Sequence, residues 1–214
     1  MSFQAVIFDM DGLLMDSERV GLTVMHDCGL LQGYDIPLEK IRHTLGANRQ
    51  SASDYYHQFY PALDADRLFL DFRSAMCDLA EQGKIPLKKG AIQLLDAIGE
   101  KNLPAAVASS SGETTITAYL KSAGIISRFQ ALITGNGLPS KPAPDVFLKA
   151  AKTLGAAPEQ CLVLEDSENG IKAGRNAGMT VVMVPDLIPY TEAFRPFCDY
   201  VLPDLSAAIP LLNP

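Results

Sequence analysis

The stretch QAVIFDMDG, residues 4–12, indicates both the fold and the place where chemistry is expected. Its first part is a short apolar run that ends on an acid, which is typical of a strand buried inside a parallel sheet. Asp9 and Asp11 interrupt the apolar residues, and neither a basic region nor a small-residue cleavage pattern accompanies them. We therefore interpret the stretch as a first strand rather than a signal peptide.

Similar apolar runs recur further along the chain, and helical patterns separate them. The runs are residues 105–109, 131–134, 161–166 and 180–184, and the helical patterns between them are residues 91–100, 114–123 and 144–154. Strands that alternate with helices of this length predict βαβ crossovers and a sheet covered on both faces. We therefore predict an α/β fold with a Rossmann-like parallel sheet at its core.

Residues 17–84 differ from the rest of the chain, because they hold helical patterns and no strand-like run. Asn48 and Asp66 are candidate N-caps of two helices in this stretch. We predict a helical bundle inserted as a domain of residues 17–84. The α/β core would then consist of residues 1–16 and 85–214.

The composition is that of a globular protein. Hydrophobic residues make up 48% of the 214 residues and charged residues 20%, and no apolar run approaches the ~18 residues of a membrane span. A net charge of −7 has the wrong sign for a nucleic-acid-binding surface. We therefore expect neither a membrane nor a nucleic acid as a partner.

The four cysteines are widely scattered and form no CxxC pair, so they suggest neither a zinc site nor a disulfide framework. Reduced thiols are the expectation for a cytoplasmic protein. The sequence also contains no coiled-coil heptads. We therefore predict a cytoplasmic location and a monomer.

Polar side chains end, or closely follow, four of the predicted strands. In chain order they are Asp9 and Asp11, Ser109 and Ser110, Lys141, and Glu165 and Asp166. Because the carboxyl ends of parallel strands meet at one edge of a sheet, we expect these groups to lie together. Carboxylates hold a hard divalent cation, and an ammonium neutralises a phosphoryl group. Taken singly, each residue could be a turn residue, a helix cap or a solvated charge, but the joint pattern favours phosphoryl transfer.

The same residues fall within four motifs that resemble those of a known family. DMDGLLMDS (9–17) resembles the first motif of the haloacid dehalogenase-type phosphohydrolases, DxDGxLxDS. ASSSG (108–112), SKPAPDVF (140–147) and LEDSENGI (164–171) are similar to the second, third and fourth motifs. The resemblance covers essentially the whole chain and is closest to the β-phosphoglucomutase-like subgroup. The inserted residues 17–84 are similar in placement and length to the family's small helical cap, which determines substrate specificity.

The resemblance implies a role for each motif residue. Asp9 would be the nucleophile that forms an aspartyl-phosphate, and Asp11 would be the general acid and then the base. Ser109 and Ser110 would bind the phosphate, and Lys141 would stabilise charge on it in the transition state.

The resemblance also implies a magnesium ion. The implied metal residues are Asp9, Asp11 through its backbone carbonyl, Glu165 and Asp166. Glu165 is either a direct ligand or a partner of the ligands, and both interpretations stay open.

The helical insert carries one further candidate and one departure from the subgroup. Arg49 follows Gly46-Ala47-Asn48, which resembles the subgroup's cap loop that reaches over the substrate, and an arginine there could bind a second phosphate or a sugar hydroxyl. A solvated arginine early in a helix fits the sequence equally well. β-Phosphoglucomutase carries a cap histidine soon after the first motif, and the matching position here is Gly21. This departure favours a hydrolase over a mutase.

The resulting prediction is a magnesium-dependent phosphatase that hydrolyses a small phosphorylated metabolite, a sugar phosphate, through an aspartyl-phosphate. The alternative with the same core is a sugar phosphomutase of the β-phosphoglucomutase type. A non-enzymatic phosphoacceptor such as a receiver domain also places Asp, Ser and Lys at strand ends. Asp11 and the helical insert argue against that third class.

Overall fold

The computed structural model describes residues 3–213, and its centre is a sheet of six parallel strands. The strands in chain order are β1 (Ala5–Phe8), β2 (Ala105–Ser109), β3 (Ala131–Thr134), β4 (Cys161–Glu165), β5 (Thr180–Met183) and β6 (Tyr200–Val201). Their spatial order is β3-β2-β1-β4-β5-β6. The chain therefore moves outward from β1 in both directions, which creates the topological switch point where ligands bind in open α/β sheets. The predicted Rossmann-like α/β fold is confirmed.

The described residues form eight α-helices, of which the first four lie in the insert between β1 and β2. In chain order they are α1 (Ser17–Leu31), α2 (Leu38–His43), α3 (Arg49–Phe59), α4 (Ala65–Glu81), α5 (Ala91–Glu100), α6 (Glu113–Ser122), α7 (Asp145–Leu154) and α8 (Glu168–Asn176). 3₁₀-helical segments lie at Ile126–Arg128, Pro158–Gln160, Glu192–Phe197 and Leu205–Leu212. Among the residues that the structure describes, no helix is both long and apolar enough to cross a membrane.

The strands beside the switch point are buried on both faces. Every residue of β1, β2 and β4 is buried. Because successive side chains of a strand point to opposite faces, Val6 and Phe8 join one apolar cluster whereas Ala5 and Ile7 join another. These two clusters hold the carboxyl ends of the strands in fixed register, which is where the polar residues are expected.

Helices α1–α4 lie between β1 and β2, in the stretch where the sequence predicts only helices. The predicted cap at Asn48 is confirmed, since its side chain accepts a hydrogen bond from the Ser51 amide. The predicted cap at Asp66 is wrong: α4 is capped by Asp64, which accepts from the Arg67 amide. The helix begins earlier because Leu63, just before the cap, and Leu68, the fourth helical residue, are both buried, which is the arrangement of a hydrophobic staple.

Two short segments connect the helical insert to the sheet, and they run antiparallel beside each other. The amide of Asp16 donates to the carbonyl of Pro86 at 2.8 Å, and the amide of Lys88 donates to the carbonyl of Leu14 at 2.9 Å. We call residues 14–16 and 86–88 the linker pair. The hydrogen bonds between its two segments fix where α1, the first helix of the insert, starts relative to β1.

Candidate active site

Three carboxylates meet at the carboxyl ends of β1 and β4. Asp9 directly follows β1, Glu165 is the last residue of β4, and Asp166 comes next. Their exposed fractions are 7%, 0% and 3%, and one oxygen from each lies within 4.8 Å of the others. Buried carboxylates at this separation repel one another, so the group requires positive charge beside it.

Lys141 supplies one positive charge to this group. Its ammonium donates to Asp9 Oδ1 at 2.6 Å, to Glu165 Oε1 at 2.7 Å and to the carbonyl of Ala108 at 3.3 Å. Burial alone would lower the pKa of the lysine, but the negative charges of Asp9 and Glu165 raise that pKa above its ordinary value. Lys141 is therefore a cation with all three of its donors in use.

One ammonium does not neutralise the three acids. Burial, together with the charges of Glu165 and Asp11, raises the pKa of Asp9 to about 7 against the opposing effect of Lys141. Burial also raises the pKa of Asp166, followed by the charges of Glu165 and Asp9. The three acids therefore resist full ionisation without a further positive charge, and a buried group of carboxylate oxygens suits a hard divalent cation.

Glu165 is held by the protein on both of its oxygens. Oε1 accepts from Lys141, and Oε2 accepts from the amides of Asp166 and Ser167 at 2.9 and 3.0 Å and from the Ser167 hydroxyl at 3.0 Å. The first turn of α8 also lies directly against this carboxylate, because a side-chain carbon added at Gly170 would overlap it. Glu165 therefore fixes the direction of both Lys141 and the peptide that carries Asp166.

We expect Gly170→Ala to lower the free energy of unfolding by roughly 1–3 kcal/mol, because the added methyl group forces the buried Glu165 carboxylate to move. Gly99→Ala is the matched control within a helix, since its nearest neighbour would be Arg128 at 3.9 Å. There the greater helix propensity of alanine should raise stability by up to about 1 kcal/mol. Urea unfolding of both variants measures the two effects, and equal effects would contradict the contact with Glu165.

Asp11 lies near the same cavity but in a different environment. Its carboxylate accepts hydrogen bonds from the hydroxyls of Ser17 at 2.8 Å, Ser109 at 3.2 Å and Ser111 at 2.7 Å. The turn that brings Asp11 here depends on Gly12, whose φ of +81° favours glycine and whose added side-chain carbon would overlap the Asp166 carboxylate. Asp9 and Asp11, two residues apart, thus face a lysine and a set of hydroxyls respectively.

All eight residues that the sequence singles out line one cavity of about 510 Å³. They are Asp9, Asp11, Arg49, Ser109, Ser110, Lys141, Glu165 and Asp166. The guanidinium of Arg49, however, pairs with the exposed Asp66 at 2.7 Å, and its side chain is 63% exposed. Arg49 therefore lies at the cavity's mouth and is not directed at the carboxylates.

Glu18 is a site residue that the sequence reasoning missed. It lies in the first turn of α1 and lines the cavity, and its Oε2 atom is buried without a hydrogen-bond partner among the described residues. Burial raises the pKa of Glu18 to about 8, followed by the charges of Asp11 and Asp186. The available signal was its place directly after the first motif, at the start of the helix that leaves the site.

A family model described as haloacid dehalogenase-like hydrolase matches residues 3–178 of the chain. The protein belongs to this family of hydrolases. The matched region contains every motif residue of the cavity. The family expected from the four motifs is thereby confirmed.

Relatives of known name agree with this assignment. Protein CbbY of Rhodobacter capsulatus is 30% identical over 97% of this hydrolase and 96% of its own length. Hexitol phosphatase B of Escherichia coli K12 is 34% identical over 85% of this chain and 83% of its own length.

Solved structures show the same fold. CbbY from Rhodobacter sphaeroides, in complex with phosphate, has a TM-score of 0.82 at 21% identity and covers 96% of both chains. A β-phosphoglucomutase from Clostridium difficile has a TM-score of 0.78 at 22% identity, over 96% of this chain and 92% of its own.

In this hydrolase a second cavity of about 540 Å³ lies beside the first, between the helical insert and the core. Asp11, Glu18 and Arg49 line both cavities. Its apolar wall comes from α1 and α4 and includes Leu22, Met25, Phe69, Phe72 and Met76. The two cavities together offer a charged end beside Asp9 and a more apolar end beneath the insert.

The three histidines are engaged elsewhere. His26 contacts the carbonyl of Ile36 at 2.9 Å, and His57 contacts the carbonyl of Leu63 at 3.0 Å. His43 lies against the ring of Tyr55, with 4.4 Å between centroids. None of the three lines the cavities beside Asp9 and Asp11.

Proposed function

We propose that the protein is a magnesium-dependent phosphatase that hydrolyses a small phosphorylated metabolite, a sugar phosphate, through an aspartyl-phosphate on Asp9. The observation that carries the proposal is the difference between the surroundings of the two acids of the first motif. Asp9 is buried beside Lys141 with further carboxylates around it, whereas Asp11 is held by three hydroxyls. One acid is thus suited to attack and the other to proton transfer.

The donor set fits magnesium, because Asp9 and Asp166 bring carboxylate oxygens close together beside Glu165, and Lys141 supplies a single positive charge to these three acids. We propose that Asp9, Asp166 and the backbone carbonyl of Asp11 hold the ion. Both oxygens of Glu165 already accept hydrogen bonds, so we assign it to orienting Lys141 and Asp166. A bound magnesium ion would offset the repulsion between Asp9 and the phosphoryl oxygens.

The first half of the reaction forms a bond between an Asp9 oxygen and phosphorus. The bond from phosphorus to the ester oxygen breaks, and the protonated Asp11 gives its proton to that departing oxygen, which leaves as an alcohol. The three hydroxyls around Asp11 fix the direction of its carboxyl group. Lys141 stabilises the charge that develops on the phosphoryl oxygens.

In the second half, water attacks the phosphorus of the aspartyl-phosphate. Asp11, now a carboxylate, takes the proton of that water, and Asp9 departs as a carboxylate while inorganic phosphate is released. Ser109 and the amide of Ser110 are assigned to the phosphate, because Ser109 ends β2, Ser110 lies between β2 and α6, and both line the cavity beside Asp9. The enzyme thereby returns to its starting protonation state.

We propose that the helical insert, residues 17–84, is the cap that selects the rest of the substrate, with residues 1–16 and 85–214 as the catalytic core. The second cavity supports this, since α1 and α4 form much of its wall. At Gly21, where β-phosphoglucomutase has its histidine, an added side-chain carbon would lie 3.3 Å from the Phe72 ring. That crowding supports a hydrolase rather than a mutase. Arg49 at the mouth is a candidate for substrate contact, and the cytoplasmic location and monomeric state stay predictions.

We expect phosphate release to stop when divalent cations are removed and to return when magnesium is added, because the buried acids repel the phosphoryl group without the ion. The measurement is release of inorganic phosphate from a panel of sugar phosphates and other phosphorylated metabolites, with magnesium and with a chelator. Undiminished release in chelator would contradict the metal assignment. Isomerisation of a sugar phosphate without net release, stimulated by its bisphosphate, would instead assign a mutase.

A further inference from the structure

Four charged side chains form a network where the helical insert joins the core. Lys88 contacts Asp186 Oδ1 at 2.7 Å and Asp16 Oδ1 at 3.3 Å. Arg19 donates to the same Asp186 oxygen, and its Nε lies 3.3 Å from Asp16 Oδ1. Two cations thus meet two carboxylates, with Asp186 at the centre.

The four members of the network come from different segments at the junction between the helical insert and the core. Asp16 and Lys88 belong to the two segments of the linker pair, Arg19 lies in the first turn of α1, and Asp186 follows β5 in the core. The Asp186 side chain is only 3% exposed. Because water screens it poorly, its ion pairs restrain the attached segments more strongly than surface pairs would.

The first turn of α1 connects this network to the proposed acid. Ser17, two residues before Arg19, donates its hydroxyl to Asp11 at 2.8 Å. Glu18, between them, lines the cavity beside Asp11. The turn is therefore tied to the core at Asp11 on one side and at Asp186 on the other.

We propose that Asp186 is a positioning residue: through Arg19 and Lys88 it holds the first turn of α1 so that Ser17 keeps Asp11 in line with the departing oxygen. Only the kinetic test of this positioning role rests on the proposed phosphatase activity. The role also explains why a buried aspartate from the loop after β5 meets two cations beside the linker pair.

The test compares two substrates in Asp186→Asn and in Arg19→Gln. If Asp11 is displaced, kcat/KM for a sugar phosphate, whose alkoxide needs a proton, should fall about ten- to a hundredfold. For p-nitrophenyl phosphate, whose phenolate needs little protonation, the loss should stay within about threefold. The double variant should lose no more than the worse single variant, since both interrupt one tether.

Lys89→Ala is the matched control, because Lys89 adjoins Lys88 but pairs with Asp204 at 2.8 Å, outside the network. It should leave both rates unchanged. Equal losses for the two substrates in both network variants, or losses matching the control, would overturn the positioning role.

A measurement that does not depend on catalysis tests the tether independently of the proposed function. Amide hydrogen exchange in residues 17–21 and in the linker pair should quicken in Asp186→Asn and Arg19→Gln but not in Lys89→Ala. If the wild-type protein released no phosphate, the proposed function would fail while this arm still tested the tether. Unchanged exchange in both network variants would refute the tether itself.

Discussion

Asp9→Asn should reduce metal-dependent phosphate release on the order of a thousandfold or more, because the variant has lost its nucleophile. The side chains have the same shape, so Lys141 keeps its contact with Glu165 at 2.7 Å. The substitution also removes an acid that resists ionisation in the folded protein, since burial raises the pKa of Asp9 to about 7. The folded state without metal should therefore not be weakened. Steady-state phosphate release measures the loss of activity, and thermal unfolding of the same preparation measures the stability.

Asp27→Asn is the control for this variant, since it removes one negative charge from the exposed face of α1. Its activity should match the wild type. Phosphate release by Asp9→Asn at the wild-type rate would show that the reaction proceeds without an aspartyl-phosphate on this residue. A folded Asp9→Asn protein that is inactive supports the assignment only if the control is active.

Asp11→Asn should lower turnover of a sugar phosphate about 10²- to 10⁴-fold, because asparagine cannot protonate the departing alkoxide. With p-nitrophenyl phosphate the first half-reaction needs little protonation, while the second still needs a base. This variant should therefore release a burst of p-nitrophenolate equal to the enzyme concentration and then turn over slowly. Rapid-mixing absorbance measures the burst.

The outcome for Asp11→Asn separates the acid from a purely structural residue. A structural role would slow both substrates alike and give no burst. The asparagine oxygen can still accept from the hydroxyls on its side, and the hydroxyls that face the new NH2 group can rotate to accept from it, so the local hydrogen bonds are largely kept. Wild-type turnover of the sugar phosphate by this variant would contradict the assignment of Asp11.

The central strands could be predicted because burial on both faces requires an apolar run, which is visible in the sequence. A strand covered on both faces is apolar throughout, and the run predicted at residues 161–166 differs by one residue from β4, Cys161–Glu165. β6 was missed because Tyr200–Val201 is a two-residue strand at the sheet edge with both side chains exposed. Such a strand has no periodic pattern to detect.

Helix α1 was not singled out, although the surrounding stretch was predicted to be helical. It contains Gly21 and Gly29, which weaken the helical signal. Both lie against neighbouring side chains, since added carbons would meet Phe72 at 3.3 Å and Ile36 at 2.9 Å. Tertiary packing decides these positions, and a single sequence does not display it.

The core of the site was predictable because parallel strands bring their carboxyl ends together. That rule leads directly from the order of the motifs to the cavity shared by Asp9, Lys141 and Glu165. It does not lead to Glu18, whose role depends on how α1 is rotated. Nor does it lead to Asp186, whose partner Arg19 is 167 residues away along the chain.

The aspartyl-phosphate on Asp9 is tested most directly by mass spectrometry of the Asp11→Asn protein quenched in acid after brief mixing with magnesium and p-nitrophenyl phosphate. We expect one added phosphoryl group per molecule, carried by the peptide that contains Asp9, and none in the Asp9→Asn, Asp11→Asn double variant. A phosphoryl group on another residue, or rapid p-nitrophenolate release with no phosphorylated protein, would contradict the assignment of Asp9.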